Sequence, residues 1–370
     1  MDTKIIAYYL PQYHEIAENN MWWGEGFTEW TNVKKAVPFL NGQVQPRVPL
    51  DNNYYNLLDK NTVEWQTKLA NEYGVYGFCY FHYYFGNGKY LLEKPAENLL
   101  KWKDIDQKFC FFWANSSWGR TWSANEYNAT TWSSDGEVQK GQTGLLVEQK
   151  YGGEQDWKTH IDYLIPFFKD ERYIKIDNKP FFAIYEANSI PNLDEMITYW
   201  ENELKKHGIE GVYVASVNAP VPNSRKISAI LQYSYGTYSK TLRYVANQTV
   251  RKSIALINKQ FNTRIWDYEK IWKMITERLP EGSIHSIPGG TVQYDETPRR
   301  GDKALVFTNS NPDIFEKYLK IQLMRAKNVY HSEYLFLDAW NEWGEGNYLE
   351  PDNVWGYKYL EALKRAVDQT

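Results

Sequence analysis

The segment that decides the fold runs from Tyr334 to Asp352 and reads Tyr-Leu-Phe-Leu-Asp-Ala-Trp-Asn-Glu-Trp-Gly-Glu-Gly-Asn-Tyr-Leu-Glu-Pro-Asp. Its first four residues are apolar and predict a buried strand. Acids, an amide and indoles then crowd together, and two glycines interrupt any regular element. A buried strand that ends in such a cluster is typical of an α/β protein whose chemistry lies at the carboxyl ends of its strands.

Two glutamates of this segment, Glu342 and Glu345, are spaced so that a helical turn would place them on one face, with Cβ atoms roughly 5–6 Å apart. Carboxyl groups about 5–5.5 Å apart are typical of a retaining glycosidase, and about 6.5–9.5 Å of an inverting one. Like charges that close split their pKa values, leaving one acid and one base. Two solvated acids on a surface turn are the alternative interpretation, but neighbouring Trp340 and Trp343 favour chemistry on a sugar.

The rest of the chain alternates strand-like and helical patterns, without an obvious inter-domain linker. Strands are predicted at 4–9, 76–84, 109–114, 180–185, 211–217, 229–233, 286–295 (broken) and 334–337, and helices at 62–73, 157–168, 193–207, 268–279, 311–327 and 357–367. This pattern predicts a single α/β domain over residues 1–370, a (β/α)8 TIM barrel with long loops on its C-terminal face. Residues 123–153 are interpreted as an insertion over that face. A doubly wound sheet is the rival, but Leu10-Pro-Gln-Tyr-His14 occupies the usual place of its glycine-rich loop.

Composition narrows the class of partner. The net charge of −4 argues against nucleic acid and anionic membrane surfaces. The chain carries 16 Trp, 30 Tyr and 16 Phe, many beside polar residues, which suits an oligo- or polysaccharide ligand. No uncharged apolar run approaches the ~20 residues that span a bilayer, so no membrane insertion is expected. The first strand begins at Lys4 and leaves no room for a signal peptide, so a cytoplasmic location is expected.

The sequence contains only two cysteines and no recognisable metal-binding motif. Cys79 and Cys110 each lie in an apolar strand-like run, which fits free buried thiols, although a disulfide between neighbouring strands stays open. There is no C-x-x-C and no H-E-x-x-H motif, so neither a metal site nor a cofactor is expected.

Polar and aromatic residues cluster after six of the predicted strands, as a barrel active site requires. The candidates for stacking on a sugar are Trp23, Trp30, Trp113, Trp118, Trp340 and Trp343. The candidates for binding or positioning hydroxyl groups are Tyr8, Gln12, His14, Glu29, His82, Tyr84, Asn115, Tyr185, Tyr294, Asp295, Arg299 and Asn341. For each of these residues the alternative is a purely structural role. A lone histidine at a strand end, for example, is more often a hydrogen-bonded structural residue than a catalytic one.

Several of these motifs carry a family resemblance. They are Tyr8-Tyr-Leu-Pro-Gln-Tyr-His14, Trp23-Gly-Glu-Gly-Phe-Thr-Glu-Trp-Thr-Asn-Val33, Gln45-Pro-Arg47, Gly77-Phe-Cys-Tyr80 with His82, Trp113-Ala-Asn115, Thr297-Pro-Arg-Arg300, Trp340-Asn-Glu-Trp-Gly-Glu-Gly346 and Leu349-Glu-Pro-Asp352. In this order, over nearly the whole chain, they resemble the WbsX family, which is related to glycoside hydrolase family 99, the endo-α-mannosidases.

The resemblance implies a (β/α)8 barrel that retains anomeric configuration without a metal. Glu345 would be the general acid/base at the glycosidic oxygen. Glu342 would act on the sugar 2-hydroxyl, which attacks C1 and forms a 1,2-anhydro intermediate. Gly344 departs from the hydrolases, which have a histidine between the two glutamates.

The expected function is therefore an endo-acting glycoside hydrolase for α-linked, mannan-like or surface-polysaccharide glycans. The runner-up is a WbsX-type glycosyltransferase in O-antigen or capsule biosynthesis. A metal-dependent transferase would want a D-x-D motif after a strand, and Asp104-Ile-Asp106 precedes the third strand instead. The third alternative is a non-catalytic glycan-binding protein.

Overall fold

Short parallel strands surround the core of the protein. The computed structural model describes residues 3–119, 144–233, 264–281 and 284–370. Within them we label the barrel strands β1 (Lys4–Tyr9), β2 (Val75–Tyr84), β3 (Lys108–Trp113), β4 (Lys179–Ile184), β5 (Tyr213–Val217), β6 (Ala229–Leu231), β7 (His285–Ile287), β8 (Gly289–Thr291) and β9 (Tyr334–Asp338). These strands are largely buried, which explains their nearly continuous apolar sequences.

The hydrogen-bonded strands follow the order β7-β6-β5-β4-β3-β2-β1-β9-β8. Since only Pro288 separates β7 from β8, these two are halves of one broken strand, and the broken strand brings the two ends of the sheet together. The break lies close against its neighbour, because a Cβ atom on Gly289 would lie 1.9 Å from the backbone oxygen of Gln232. The predicted (β/α)8 barrel, including its broken seventh strand, is thus confirmed.

Helices follow most of the strands. They are α1 (Ala17–Trp23), α2 (Glu29–Lys35), α3 (Lys60–Tyr73), α4 (Lys94–Lys101), α5 (Glu154–Phe168), α6 (Leu193–Lys206), α7 (Tyr268–Glu277), α8 (Thr297–Arg300), α9 (Pro312–Asn328) and α10 (Lys358–Asp368). Single 3-10 turns lie at Leu50–Asn52, Ala187–Ser189, Gly301–Lys303 and Trp343–Glu345. The six predicted helices correspond to α3, α5, α6, α7, α9 and α10 and agree within three residues at either end.

Small strands outside the barrel decorate the loops, at Tyr90–Leu91, Trp118–Gly119, Leu145–Val147, Lys175–Ile176, Arg264–Asp267, Leu305–Thr308, Asn341–Glu342 and Asn347–Tyr348. Most of the predicted insertion at 123–153 lies outside the described residues. Within the described ranges, no helix is both long and apolar enough to cross a bilayer. Cys79 and Cys110 face each other across β2 and β3 as buried free thiols.

Candidate active site

A cleft of about 290 Å³ opens at the carboxyl ends of the barrel strands. Its wall is mainly aromatic, with the charged groups gathered on the side of β9 and α8. The lining residues are Leu10, Asn19, Trp23, Phe81, Tyr83, Phe112, Ala114, Ser116, Ser117, Trp118, Gly119, Leu146, Tyr185, Tyr233, Arg299, Arg300, Glu342 and Glu345. A concave, mainly apolar site with a few convergent polar groups is the usual form of a small-molecule site.

One guanidinium group organises the acids of this cleft. Arg299 donates from Nη2 to Oε2 of Glu342 at 2.8 Å and from Nη1 to Oε1 of Glu345 at 2.6 Å. Its third nitrogen, Nε, donates to Oε1 of Glu29 at 2.8 Å. Each nitrogen of the planar fork thus holds a different carboxylate, and the two predicted catalytic glutamates are joined through one side chain.

The two glutamates differ in their access to the cleft. The side chain of Glu345 is 18% exposed, whereas that of Glu342 is 6% exposed. Burial is the main cause that raises the pKa of both carboxyls, and Arg299 opposes the rise in each. Burial raises the pKa of Glu342 well above its ordinary value, and the like charges of Glu345 and Glu29 add to the rise. The site therefore retains a proton at a pH where exposed glutamates are ionised.

The backbone after β9 forms the turn that presents these acids. Residues Trp343–Glu345 make a single 3-10 turn, and Gly346 ends it in the left-handed region at φ 55°. The indole of Trp343 stacks on Tyr348 with ring centroids 3.7 Å apart, which anchors the turn. The hydroxyl of Tyr13 accepts from the backbone N–H of Trp343 at 3.1 Å and donates to the carbonyl of Asn341. The turn is therefore fixed from both sides.

Six of the predicted site residues lie together at the cleft: Trp23, Trp118, Tyr185, Arg299, Glu342 and Glu345. Tyr185 is 39% exposed. Trp118 packs edge-on against Tyr83, with ring centroids 5.0 Å apart. These residues come from the segments that follow β1, β3 and β4, from the short helix α8 and from the turn after β9, as the barrel architecture predicts.

Four predicted stacking residues lie in the core instead, which corrects that expectation. Trp340 and Trp343 have no exposed surface, and Trp30 and Trp113 are 4% and 2% exposed. Their indole N–H groups explain part of this placement: Trp30 donates to the carbonyl of Tyr55 at 2.9 Å, and Trp113 to that of Tyr84 at 2.8 Å. A buried indole with a bonded N–H packs as structure and offers no face to a ligand.

Three further candidates face the helix α5 or neighbouring loops and not the cleft. His82 Nε2 lies 2.9 Å from His160 Nε2, and burial lowers the pKa of His82 to about 3. Tyr84 donates to Asp156. The side-chain carbonyl of Asn115 accepts from the backbone N–H of Glu186 at 2.8 Å, so Asn115 ties one loop to the next. The structural alternative holds for all three.

The remaining candidates near the β1 end are buried beneath the cleft. Tyr8 contacts three rings of the cleft wall or floor, and its exposure is 1%. Gln12 is 1% exposed, and its amide has no hydrogen-bond partner among the described residues. Burial lowers the pKa of His14 to about 4, so its imidazole is neutral near pH 7. Glu29 has no exposed surface and acts on the site through Arg299.

Tyr294, Asp295 and Asn341 also serve the frame of the site. The Tyr294 hydroxyl donates to Glu296 at 2.8 Å. Asp295 Oδ2 accepts from Gln43 and Gln45, both at 2.9 Å. The amide of Asn341 joins the end of β1 to the turn after β9, because it accepts from the Leu10 N–H at 2.7 Å and donates to the Leu10 carbonyl at 3.1 Å.

The cleft contains residues that the sequence analysis did not select. They are chiefly Asn19, Phe81, Tyr83, Phe112 and Tyr233. Side chains alternate between the two faces of a strand. Phe81 and Tyr83 therefore face the cleft, and His82 and Tyr84, which alternate with them, face α5. The same alternation places Phe112 in the cleft and Trp113 outside it. The alternation of inward and outward positions along a strand is therefore the sequence signal that could have identified Phe81, Tyr83 and Phe112.

Behind the turn, Glu350 gives a testable pH effect on stability. It accepts hydrogen bonds from Trp343, Gln66 and Tyr55, each at 2.7 Å, and burial raises its pKa to about 7. A raised pKa means that the folded state binds the proton more tightly than the unfolded state. Stability is therefore lost as pH rises from about 4.5 to about 7, and a shift of that size corresponds to about 3 kcal/mol.

We expect Glu350→Gln to remove this dependence. Relative to the variant, the wild type should lose up to about 3 kcal/mol of unfolding free energy between pH 4.5 and pH 8. Urea unfolding at several pH values measures the difference. Glu361→Gln, an exposed position on α10, is the control and should follow the wild type. A difference between wild type and Glu350→Gln that stays constant with pH would contradict the assignment.

Comparison with known proteins gives one family. The family model described as "Glycosyltransferase WbsX" matches residues 5–363. WxcX proteins from two strains of Xanthomonas campestris pv. campestris are 29% identical over 374 residues, which cover 99% of this chain and 50% of the relative. The chain thus spans about half the length of the curated relatives it matches.

Solved structures share the fold at low sequence identity. A glycoside hydrolase-like protein superposes with a TM-score of 0.58 at 13% identity, over 99% of this chain and 94% of the other. An endo-α-mannosidase of glycoside hydrolase family 99 from Bacteroides thetaiotaomicron superposes with a TM-score of 0.55 at 14% identity, over 100% of this chain and 98% of the other.

Across the described ranges, no cluster of three His, Cys, Asp or Glu side chains could hold a metal ion.

Proposed function

The chain belongs to the WbsX family, and we propose that it is a glycoside hydrolase for α-linked, mannan-like or surface-polysaccharide glycans, cleaving internal linkages. The observation that carries the proposal is the placement of Glu342 and Glu345 in one aromatic cleft, where a single guanidinium holds both. The fold shared with a family 99 endo-α-mannosidase supports it. So does the open, mainly uncharged aromatic wall, on which sugar rings can stack.

Glu345 is proposed as the general acid/base because it is the more exposed of the two carboxyls. It donates a proton to the glycosidic oxygen as the C1–O bond breaks. Glu342 accepts the proton of the sugar 2-hydroxyl, whose oxygen attacks C1 and closes a 1,2-anhydro ring. Glu345, now a carboxylate, takes a proton from water, which opens the ring at C1, while O2 recovers its proton from Glu342. Two inversions at C1 give overall retention.

The raised pKa of Glu345 suits its role as the acid, whereas Glu342, whose pKa lies well above its ordinary value, must give up its proton before it acts as the base. Burial raises both pKa values, which favours a protonated acid near neutral pH. Arg299 opposes the rise and stabilises the carboxylate that each step leaves behind. Since the guanidinium touches both groups, it remains beside the negative charge whichever glutamate carries it.

A glycosyltransferase is the second candidate, because the matching family model carries that description. A sugar-nucleotide donor brings a diphosphate, which needs cations to receive it. The two cationic side chains that line the described cleft are both ion-paired: Arg299 with its three glutamates and Arg300 with Glu296 at 3.3 Å. This arrangement favours a neutral glycan, and therefore the hydrolase.

Three parallel incubations separate the candidates. The chain is mixed with α-mannan, with the surface polysaccharide of its own organism and with sugar nucleotides plus acceptor. New reducing ends without nucleotide are expected if it is a hydrolase. Turnover that requires a sugar nucleotide would establish the transferase and overturn the proposal. Glycan binding without turnover, unchanged in Glu345→Gln, would indicate a binding protein.

The half-buried indole of Trp23 at the cleft gives a prediction on binding. Trp23→Ala is expected to raise KM for a cleaved glycan about tenfold, since losing a stacking contact costs about 1.4 kcal/mol. Its stability should change little, because its ring contact is with Phe27 on the loop. The control is Met21→Ala, which lies on the same helix α1 and is 74% exposed. Equal KM values for the two variants would remove Trp23 from the glycan site.

A further inference from the structure

The third carboxylate on Arg299 has no role in the reaction described above. Glu29 begins α2 and has no exposed surface, and it is absent from the cleft lining. Its carboxylate nevertheless accepts from Arg299 Nε at 2.8 Å, and the two residues are 270 positions apart in the chain. A buried, charged side chain that reaches the site only through another side chain is a candidate for positioning it.

The space for this contact comes from Gly344. A Cβ atom built there would lie 1.7 Å from Glu29 Oε1 and 2.7 Å from Arg299 Nε. No heavy atom tolerates the first of these separations, so any side chain at position 344 displaces the ion pair. Gly344 is also one of the two residues between the cleft glutamates, next to Trp343. The glycine thus lets α2 deliver a carboxylate to the centre of the turn that carries Glu342 and Glu345.

We propose that Glu29 is a positioning residue: it fixes Arg299 through Nε so that each terminal nitrogen holds one of the two reacting glutamates, and Gly344 is the opening through which it does so. The inference rests on the proposed function for its effect on catalysis, but its geometry is independent of any substrate.

The reason lies in the shape of guanidinium. Its three nitrogens are coplanar, so fixing Nε in addition to the side-chain stem leaves the group no freedom to rotate. The terminal nitrogens then point in two set directions, toward Glu342 and Glu345. Without Glu29, the same cation can turn to form a two-pronged pair with one carboxylate, which is the preferred geometry of an isolated Arg–carboxylate pair. The other glutamate would lose its partner.

The first experiment needs no substrate. Crystal structures of Glu29→Ala and Glu29→Gln are compared with that of the wild type. In Glu29→Ala, Arg299 is expected to leave Glu342 or Glu345; in Glu29→Gln, the amide oxygen still accepts from Nε and should keep it on both. Arg299 bonded to both glutamates in Glu29→Ala would overturn the proposal.

A double-mutant cycle tests the role of Gly344. Melting temperatures are measured for the wild type, Gly344→Ala, Glu29→Ala and the double variant. Gly344→Ala should lower the melting temperature by several degrees in the wild-type background and much less when Glu29 is absent, because the colliding oxygen is gone. An equal loss in both backgrounds would show that glycine is needed for another reason, and would overturn this part.

Kinetics with α-mannan separate positioning from binding. If the wild type cleaves it, Glu29→Ala should lower kcat about 10²-fold with KM unchanged, since a slightly misplaced catalytic group costs rate and Glu29 does not line the cleft. Glu29→Gln should recover part of the loss. A raised KM with unchanged kcat would assign Glu29 to substrate binding and overturn the proposal. If the wild type cleaves no glycan, the proposed function fails, and the first two experiments still decide the geometry.

Discussion

Glu345→Gln is expected to lower the rate of glycan cleavage by about 10²- to 10⁴-fold, the usual contribution of a general acid/base. The amide keeps the shape of the side chain and can still accept the hydrogen bond that Arg299 Nη1 donates at 2.6 Å. It has no proton to give to the glycosidic oxygen. The change should therefore appear in kcat, with KM and the melting temperature close to those of the wild type.

The matched control is Glu25→Gln, an exposed glutamate of the loop between α1 and α2. It makes the same chemical change away from the cleft and should leave kcat intact. Measurement of reducing ends over a range of pH adds a second check: in the wild type the rate should fall on the alkaline side as the acid loses its proton. Because burial raises the pKa of Glu345, this limb should lie above the range of an ordinary glutamate. A Glu345→Gln variant with wild-type kcat would end the assignment.

Arg299→Met is expected to destabilise the protein by about 3–5 kcal/mol, the cost of leaving buried charges without their partner. Methionine approximates the aliphatic stem of arginine, so the loss reports mainly on charge. Glu29, Glu342 and Glu345 would remain together with no cation among them. Since Arg299 lowers the pKa of Glu342 and Glu345, its removal raises both pKa values further.

The sign of the pH effect follows from this rise. Folded carboxyls that hold protons more tightly than unfolded ones favour the folded state at low pH, so the deficit of Arg299→Met should be smaller at pH 5 than at pH 8. Guanidinium chloride unfolding at both pH values measures it. Arg300→Met is the control, because its side chain is 25% exposed and pairs with Glu296 at 3.3 Å; a loss below about 1 kcal/mol is expected. Equal losses for the two variants would contradict a central role for Arg299.

The sequence predicted the barrel because its signal is local. Each buried strand is a short apolar run, and each helix repeats its apolar residues at helical spacing. The turn that carries Glu342 and Glu345 was predictable for the same reason. Their spacing of three residues and the neighbouring Gly344 and Gly346 all lie within one short segment. The ion pair between Glu29 and Arg299 was not predictable in this way, because it joins segments 270 residues apart.

The aromatic residues were the weakest part of the prediction. Composition correctly indicated an aromatic site, but it does not distinguish an indole that packs from one that binds. Trp343 is buried because Glu350, seven residues later, accepts from its indole N–H, and Trp113 because its N–H reaches the Tyr84 carbonyl. The alternation of side chains along β2 would have selected Tyr83 as a cleft residue in place of His82. A residue near the end of a strand reaches the cleft only if it lies on the inward face, and composition does not distinguish the two faces.

The break between β7 and β8 at Pro288 links sequence change in the barrel to the shape of the cleft. Gly289 leaves no space between its Cα atom and the carbonyl of Gln232, and the next residue, Tyr233, forms part of the aromatic wall. A descendant that acquires a side chain at position 289 must push this strand outward and carry Tyr233 with it. Divergence at a residue that touches no glycan would thereby widen the pocket, and relatives with altered sugar preference should show paired substitutions at these two places.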